Sequence, residues 1–200
     1  MGTNRLEAFS DGVLAIIITI SVLELRPPHG TDLGALWSQR SIFFSYVLSF
    51  WYLGIYWNNH HHMLQVTERV TGAILWANLG LLFCLSLFPF ATGWMGGSDF
   101  ARLPTAFYGV ILLLAGVAYY VLQRLIIASQ GEHSLLAAAV GRDLKGKISP
   151  IIYAAAIPLA FVSPFVANVL FVAVAILWLV PDRRIERAVA ARERAGGDRD

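Results

Sequence analysis

The chain has few charged side chains and a single cysteine. Asp, Glu, Lys and Arg make up 14% of its 200 residues, whereas soluble domains carry about 25%. The lone Cys84 excludes an intramolecular disulfide. The sequence also lacks an H-E-x-x-H motif, a glycine-rich phosphate loop and a serine nucleophile elbow. We therefore expect no enzyme.

What the chain has instead is a series of long apolar runs. Hydrophobic residues make up 57% of the sequence. The interval from Ile148 to Val180 is nearly unbroken, but Pro158 and the pair Ser163-Pro164 interrupt it, which favours a hairpin of two helices. We predict an all-α, multi-pass protein of the lipid bilayer, because each run approaches the ~20 residues that cross a hydrocarbon core. The six predicted transmembrane helices are 8–25, 41–57, 71–93, 105–128, 148–162 and 165–180.

The distribution of Lys and Arg predicts the orientation. If the N-terminus is cytoplasmic, only Arg26, Arg40 and Arg102 fall on the outer side. The bias towards the cytoplasm is strong, and it places both termini there. Residues 1–180 then form one transmembrane domain, and residues 181–200 form a basic cytoplasmic tail. The cytoplasmic set is Arg5, Arg69, Arg124, Arg142, Lys145, Lys147, Arg183, Arg184, Arg187, Arg192, Arg194 and Arg199.

The first predicted helix carries an aspartate, Asp11, close to its start. A carboxylate in lipid costs several kcal/mol unless it is paired or hydrated. At 100° per residue, Asp11 lies on the face opposite a narrow stripe of small, branched and hydroxyl side chains. If the stripe lines a passage, Asp11 faces the protein interior; the alternative is an ordinary packing or lipid-facing surface. The stripe consists of Gly12, Ile16, Thr19, Ile20 and Leu23.

The same helix opens with an R-x-x-x-F-S-D motif, formed by Arg5, Phe9, Ser10 and Asp11. "YWNNHHHML" follows at the end of the second predicted helix, and the third, "LWANLGLLFCLSLFPFAT", carries an Asn and then a Pro-Phe pair. These features resemble the transmembrane protein 175 family, the endolysosomal potassium channel and its bacterial relatives. Six helices match one family repeat over essentially the whole chain.

The resemblance implies an architecture and a set of site residues. One repeat per chain implies a homotetramer with four copies of the first helix around a central pore. The implied pore-lining residues are Ile16, Thr19, Ile20 and Leu23, with a hydrophobic constriction among them. The motif residues Arg5, Phe9, Ser10 and Asp11 are implied to form a structural polar network. Its possible partners are Trp57, Asn58, His60, His61, Trp76 and Asn78.

The implied function is a cation channel of the bacterial inner membrane that conducts potassium, with weak preference over sodium. We expect potassium and other monovalent cations as permeant ions, no cofactor, no resident metal and no nucleic-acid partner. Consecutive histidines point about 100° apart on a helix, which disfavours His60, His61 and His62 as one metal site. Glu24, at the outer end of the first helix, either enriches cations at the mouth or anchors the helix. The alternative function is a non-conducting membrane scaffold or a small-solute carrier.

Overall fold

The computed structural model describes residues 2–131, 136–137 and 144–179. Within these ranges the chain forms helices and no strand. The predicted basic tail, 181–200, lies outside the described residues. The helices are α1 (Thr3–Ser21, extended by a 3-10 turn over Val22–Glu24), α2 (Leu33–Ser38), α3 (Arg40–Gln65), α4 (Gly72–Ser86), α5 (Phe88–Gly97), α6 (Arg102–Gln130), α7 (Leu144–Val162) and α8 (Pro164–Leu179).

Four helical segments of the described chain are long and apolar enough to cross a membrane: Thr3–Glu24, Gly72–Gly97, Arg102–Gln130 and Leu144–Val162. Helix α8 is apolar but has 16 residues, about 24 Å of helix. Helix α3 has 26 residues, about 39 Å, and its last third is rich in Asn and His. The prediction of an all-helical membrane protein is confirmed.

The third predicted helix is divided in the structure. The sequence predicts one helix over 71–93, but α4 ends at Ser86 and α5 begins at Phe88. Pro89 lies in the first turn of α5, where its missing N–H and fixed φ are tolerated. The Leu87 N–H still donates to the Cys84 carbonyl at 3.3 Å, so the segment bends without opening. The crossing predicted over 71–93 is therefore present as one apolar segment, Gly72–Gly97, that the region of Pro89 divides into two helices.

Helices α7 and α8 form the predicted hairpin. The Trp178 indole N–H, near the end of α8, donates to Ser149 Oγ near the start of α7 at 2.8 Å, so the two helices run antiparallel. The break falls at Ser163, and Pro164 is the first residue of α8, a position that suits its fixed φ. Pro158 lies within α7, as it lies within the predicted helix 148–162.

The core lies among α3, α5, α6, α7 and α8, where buried aromatic rings meet. Tyr108 of α6 packs against Phe88 and Phe171 with ring centroids 5.9 and 5.7 Å away. Tyr52 of α3 donates its hydroxyl to the Phe171 carbonyl at 2.6 Å. Helix α1 lies at the edge of this core and packs against α3, α4 and α5. One face of α1 is therefore not covered by the described part of the protomer.

Candidate functional site on the first helix

Helix α1 has a buried face and an exposed face. The buried face consists of Leu6, Ser10, Leu14, Ile17 and Ser21, spaced three or four residues apart as one side of a helix requires. Its two serines donate their hydroxyls to carbonyls one turn earlier in α1, each at 2.8 Å, so neither leaves an unpaired donor among apolar neighbours. This face fixes how α1 is rotated against the bundle.

The opposite face is the stripe predicted from the sequence. Ile16, Ile20 and Leu23 are 58%, 45% and 73% exposed in the protomer. Thr19 donates its hydroxyl to the Ile16 carbonyl at 2.9 Å, which leaves the hydroxyl oxygen free to accept from outside the helix. Gly12 is exposed, and a methyl group there would meet no atom within 4 Å. We call these five residues the exposed stripe.

A buried chain of hydrogen bonds connects α1 to α4 and α3. The His60 Nε2–H donates to Asn78 Oδ1 at 2.7 Å, because a carboxamide oxygen can only accept. Asn78 Nδ2 donates to Ser10 Oγ at 3.0 Å, and Ser10 donates to the Leu6 carbonyl. All three polar side chains are at most 1% exposed. Three helices are thus held in register by groups that water does not reach.

Asp11 makes a second connection, to α3. The Trp57 indole N–H donates to Asp11 Oδ1 at 3.0 Å. The Trp57 ring also stacks on His61, with ring centroids 6.3 Å apart and planes at 22°. Asp11 makes no further hydrogen bond within the described residues, so one carboxylate oxygen remains available. Asp11 therefore links α1 to α3 and keeps acceptor capacity.

The third connection involves Glu7, which the sequence analysis missed. Glu7 Oε1 accepts from His61 Nδ1 at 2.6 Å, and His61 Nε2 lies 2.8 Å from Gln65 Nε2. Glu7 and His61 are both partly exposed, at 22% and 34%. The signal was present in the sequence, since Glu7 precedes Asp11 by four residues and so shares its face of α1. Glu7 occupies an x position of the R-x-x-x-F-S-D motif, so the motif itself assigns it no role.

Several predicted network residues lie elsewhere in the protomer. Arg5 and Phe9 are exposed and fall on the side of the stripe. Trp76 is 77% exposed. Within the described part of the chain, the side chains of Arg5 and Asn58 make no hydrogen bond. Of the predicted set, the protomer brings together Ser10, Asp11, Trp57, His60, His61 and Asn78.

Glu24 is half-buried beside α5. Its carboxylate lies over Gly93, in the space that a side chain at Gly93 would occupy. This places the carboxylate against the bundle and not along the exposed stripe. The described residues contain no group of three His, Cys, Asp or Glu that could hold a metal. His60 and His61 illustrate why, since they turn towards different helices.

Comparison with known proteins identifies the family. The sequence matches the family model described as the endosomal/lysosomal potassium channel TMEM175 over residues 5–89. It is 50% identical over 189 residues to a protein named as a potassium channel from Chryseobacterium sp. strain P1-3, covering 94% of this chain and 98% of that one. This chain belongs to the TMEM175 family. The resemblance read from the motif residues is confirmed.

Two further similar proteins support the assignment to the TMEM175 family. A protein named as a potassium channel from Streptomyces collinus is 31% identical over 128 residues, which cover 60% of this chain and 62% of that one. The crystal structure of a lysosomal potassium-selective channel TMEM175 homolog from Chamaesiphon minutus matches with a TM-score of 0.80 and 26% identity. That match covers 90% of this chain and 97% of the other. The TMEM175 region, 5–89, contains all three connections from α1 to α3 and α4.

Proposed function

We propose that this protein is a potassium-conducting cation channel whose ion pathway runs along the exposed stripe of α1. One observation carries the proposal. Three polar connections fix one side of α1 to the bundle, while the opposite side presents apolar residues and a hydroxyl that no described part of the protomer covers. The named potassium channels among the TMEM175 relatives support the choice of ion.

The stripe can face an aqueous passage only if other copies of α1 enclose it. We propose a homotetramer in which four α1 helices surround the axis. Rings of Ile16, Ile20 and Leu23 then form a hydrophobic constriction, which restricts ions because they must shed water without replacement oxygens. Potassium holds its water less tightly than sodium, so this barrier favours potassium modestly. Thr19, between two of these rings, offers oxygens on the same face.

The polar connections set the rotation of α1 about its own axis. Neighbouring residues on a helix are 100° apart, so a rotation of that size would replace Ile16 in the passage by Ile17, which is 4% exposed. Ser10 and Asp11 lie on neighbouring faces and bond to different helices, which resists rotation in either direction. We infer that the motif residues act on permeation by holding the stripe in place.

Arg5 and Asp11 both keep unused hydrogen-bonding capacity within the protomer. Arg5 is exposed, and Asp11 has one carboxylate oxygen without a hydrogen bond among the described residues. An arginine donates five N–H groups in a planar fork that suits a carboxylate. We propose that Arg5 of one subunit meets Asp11 of the next, so that the motif joins subunits as well as helices.

The orientation and location follow from the charge pattern. We propose that the chain crosses a bacterial inner membrane six times. Helices α3 and α8 are the two proposed crossings that length and apolar composition do not identify. Both termini then lie in the cytoplasm. The outer-side cations are then Arg26, Arg40 and Arg102. In this arrangement Glu24 lies at the outer end of α1, and its carboxylate over Gly93 favours the role of anchoring the helix to the bundle.

The proposal is tested by ion flux through purified protein in liposomes under a potassium gradient, with no other solute gradient. A channel carries potassium until the electrical potential balances the gradient, and sodium substitution slows it modestly. A scaffold would give the flux of empty vesicles. A carrier would need a coupled solute. Either of the latter results would contradict the proposal, provided that cross-linking shows the tetramer in the same vesicles.

A further inference from the structure

An apolar groove lies at the end of the bundle where α1 ends and α3 begins. It has a volume of about 600 Å³ and is lined on its apolar side by residues of α2 and α3 that include Leu33, Trp37 and Phe43. Its polar rim includes Arg26, Gln39 and Arg40. We call this feature the outer groove.

Helix α2 supplies the groove with an apolar face that the protomer does not cover. None of its six residues is buried, and Leu33 and Trp37 are 84% and 65% exposed. Leu33, Leu36 and Trp37 share one face, since they are spaced three and four residues apart. The helix is formed locally, because Asp32 Oδ1 accepts from the Ala35 N–H at 2.7 Å. Its exposed face needs an apolar environment.

The rim of the outer groove is positively charged. Arg40 donates from Nη1 to the Trp37 carbonyl at 3.3 Å, and its guanidinium carbon lies 6.0 Å from the Trp37 ring centroid. Most of its N–H donors therefore remain available. The Arg26 side chain makes no hydrogen bond or ion pair within the described residues, although its backbone N–H donates to the Glu24 carbonyl at 3.1 Å. No carboxylate is among the groove residues that the structure describes. The first turn of α3 adds the positive end of its helix dipole.

The arginines at this end of the bundle are concentrated at the outer groove. The ends of α1 and α5 and the starts of α3 and α6 lie together, since Ser41 of α3 donates to Asp99 beyond α5 at 2.6 Å. Among the described residues, the Lys and Arg side chains at this end of the bundle are Arg26, Arg40 and Arg102. Two of the three line the outer groove. An apolar groove beside two guanidinium groups is complementary to a molecule with an acyl chain and an anionic phosphate.

We propose that the outer groove binds an anionic phospholipid of the adjacent leaflet. Arg26 and Arg40 hold the headgroup phosphate, which the planar guanidinium fork matches by paired hydrogen bonds. The first part of an acyl chain lies along Leu33, Trp37 and Phe43. This inference is independent of potassium conduction and goes beyond the proposed function.

The test measures lipid binding to the full-length purified protein in a neutral detergent. Phosphatidylglycerol and phosphatidylcholine with identical acyl chains are titrated separately, and bound lipid is counted by native mass spectrometry. We expect phosphatidylglycerol to bind at least about five-fold more tightly, given the usual contribution of one arginine near a membrane surface. Equal affinity for the two lipids would overturn the proposal.

Variants separate a built site from general surface charge. Arg26→Gln and Arg40→Gln should each weaken phosphatidylglycerol binding about five-fold and leave phosphatidylcholine unchanged. Arg102→Gln is the matched control, since it removes an exposed cation from the same end of the bundle but outside the groove. An equal loss in Arg102→Gln would overturn the proposal.

Two further experiments test the apolar lining of the outer groove and the identity of the bound molecule. Leu33→Gln, at a fully exposed position, should weaken both lipids, because it removes a chain contact and no charge. Inorganic phosphate at millimolar concentration should not displace phosphatidylglycerol. Displacement by phosphate would show a free-anion site and contradict the lipid. If Arg26→Gln and Arg40→Gln reduce the tetramer content and leave lipid binding intact, the groove is a contact between subunits and the proposal fails.

Discussion

Asn78 joins three helices, so its replacement by leucine tests the polar connection between α1 and the bundle. Its carboxamide accepts from His60 Nε2 and donates to Ser10 Oγ, at 2.7 and 3.0 Å, and it is completely buried. Leucine has a similar volume, so the main effect is electrostatic. The His60 Nε2–H loses its partner among the described residues, whereas Ser10 keeps its bond to the Leu6 carbonyl.

The magnitude follows from the groups left unpaired. A buried donor without a partner costs about 1–3 kcal/mol, and the lost bond to a hydroxyl about 1 kcal/mol more. Asn78→Leu should therefore lower the free energy of unfolding by about 2–4 kcal/mol per protomer. A tetramer contains the site four times, so the summed effect is about 8–16 kcal/mol, comparable to the whole stability of a domain.

The assay is thermal unfolding of the purified protein in detergent, with tetramer content measured by size exclusion. Asn168→Leu is the matched control, since the Asn168 amide donates to the Pro164 carbonyl one turn away in α8 and joins no other helix. It should cost less than about 1 kcal/mol. In the double variant His60→Leu/Asn78→Leu both partners are apolar, so the loss should be smaller than in Asn78→Leu alone.

One outcome would refute this reasoning. If Asn78→Leu and Asn168→Leu unfold at the same temperature and keep the same tetramer content, the buried chain of hydrogen bonds does not fix α1. The rotational setting of the exposed stripe would then have to come from the Asp11 and Glu7 connections and from apolar packing.

Three further variants, the last with a matched control, test other parts of the account. Ile16→Asn should raise conductance and lower the potassium-to-sodium flux ratio, because amide oxygens wet the constriction; unchanged flux of both ions would place the constriction elsewhere. Asp11→Ala should reduce tetramer content and heat stability before it changes ion preference, and a stable tetramer that has lost its ion preference would count against the network role. Gly96→Ala should destabilise the protein by about 1–3 kcal/mol, because its methyl would lie 2.8 Å from the Ile42 Cα. Gly97→Ala, with no atom within 4 Å, should be neutral or stabilising in the same melting experiment.

The all-helical, membrane-spanning character was predictable because long apolar runs are a strong signal in a membrane protein. The break between α4 and α5 was missed although Pro89 was visible, since a proline can kink a helix without ending its crossing. The boundary predicted at Ser163-Pro164 is present, whereas Pro158, which also interrupts the apolar run, is accommodated within α7. Local sequence indicates where a helix can break, and packing decides whether it does.

The site was only partly predictable, for a different reason. The helical period placed Ile16 and Leu23 on one face and Asp11 on another, and the structure has them so. Pairings between side chains of different helices depend on how α1, α3 and α4 pack together. The 3.6-residue period of one helix does not determine that packing. Glu7 was missed on that account, and its partner His61 was named without it. Contacts that form only between subunits, as proposed for Arg5, lie beyond any reading of one protomer.

The central claim is that the exposed stripe of α1 faces the ion pathway. Single cysteines at Ile16, Leu23 and Ile17, in a Cys84→Ser background, are reconstituted in liposomes, and potassium flux is measured before and after a small cationic thiol reagent. Modification at Ile16 or Leu23 should reduce flux strongly, because a bulky cation would stand in the passage. Modification at the buried Ile17 should have little effect. Equal loss at all three positions, or none at Ile16 and Leu23, would contradict the account and remove α1 from the pore.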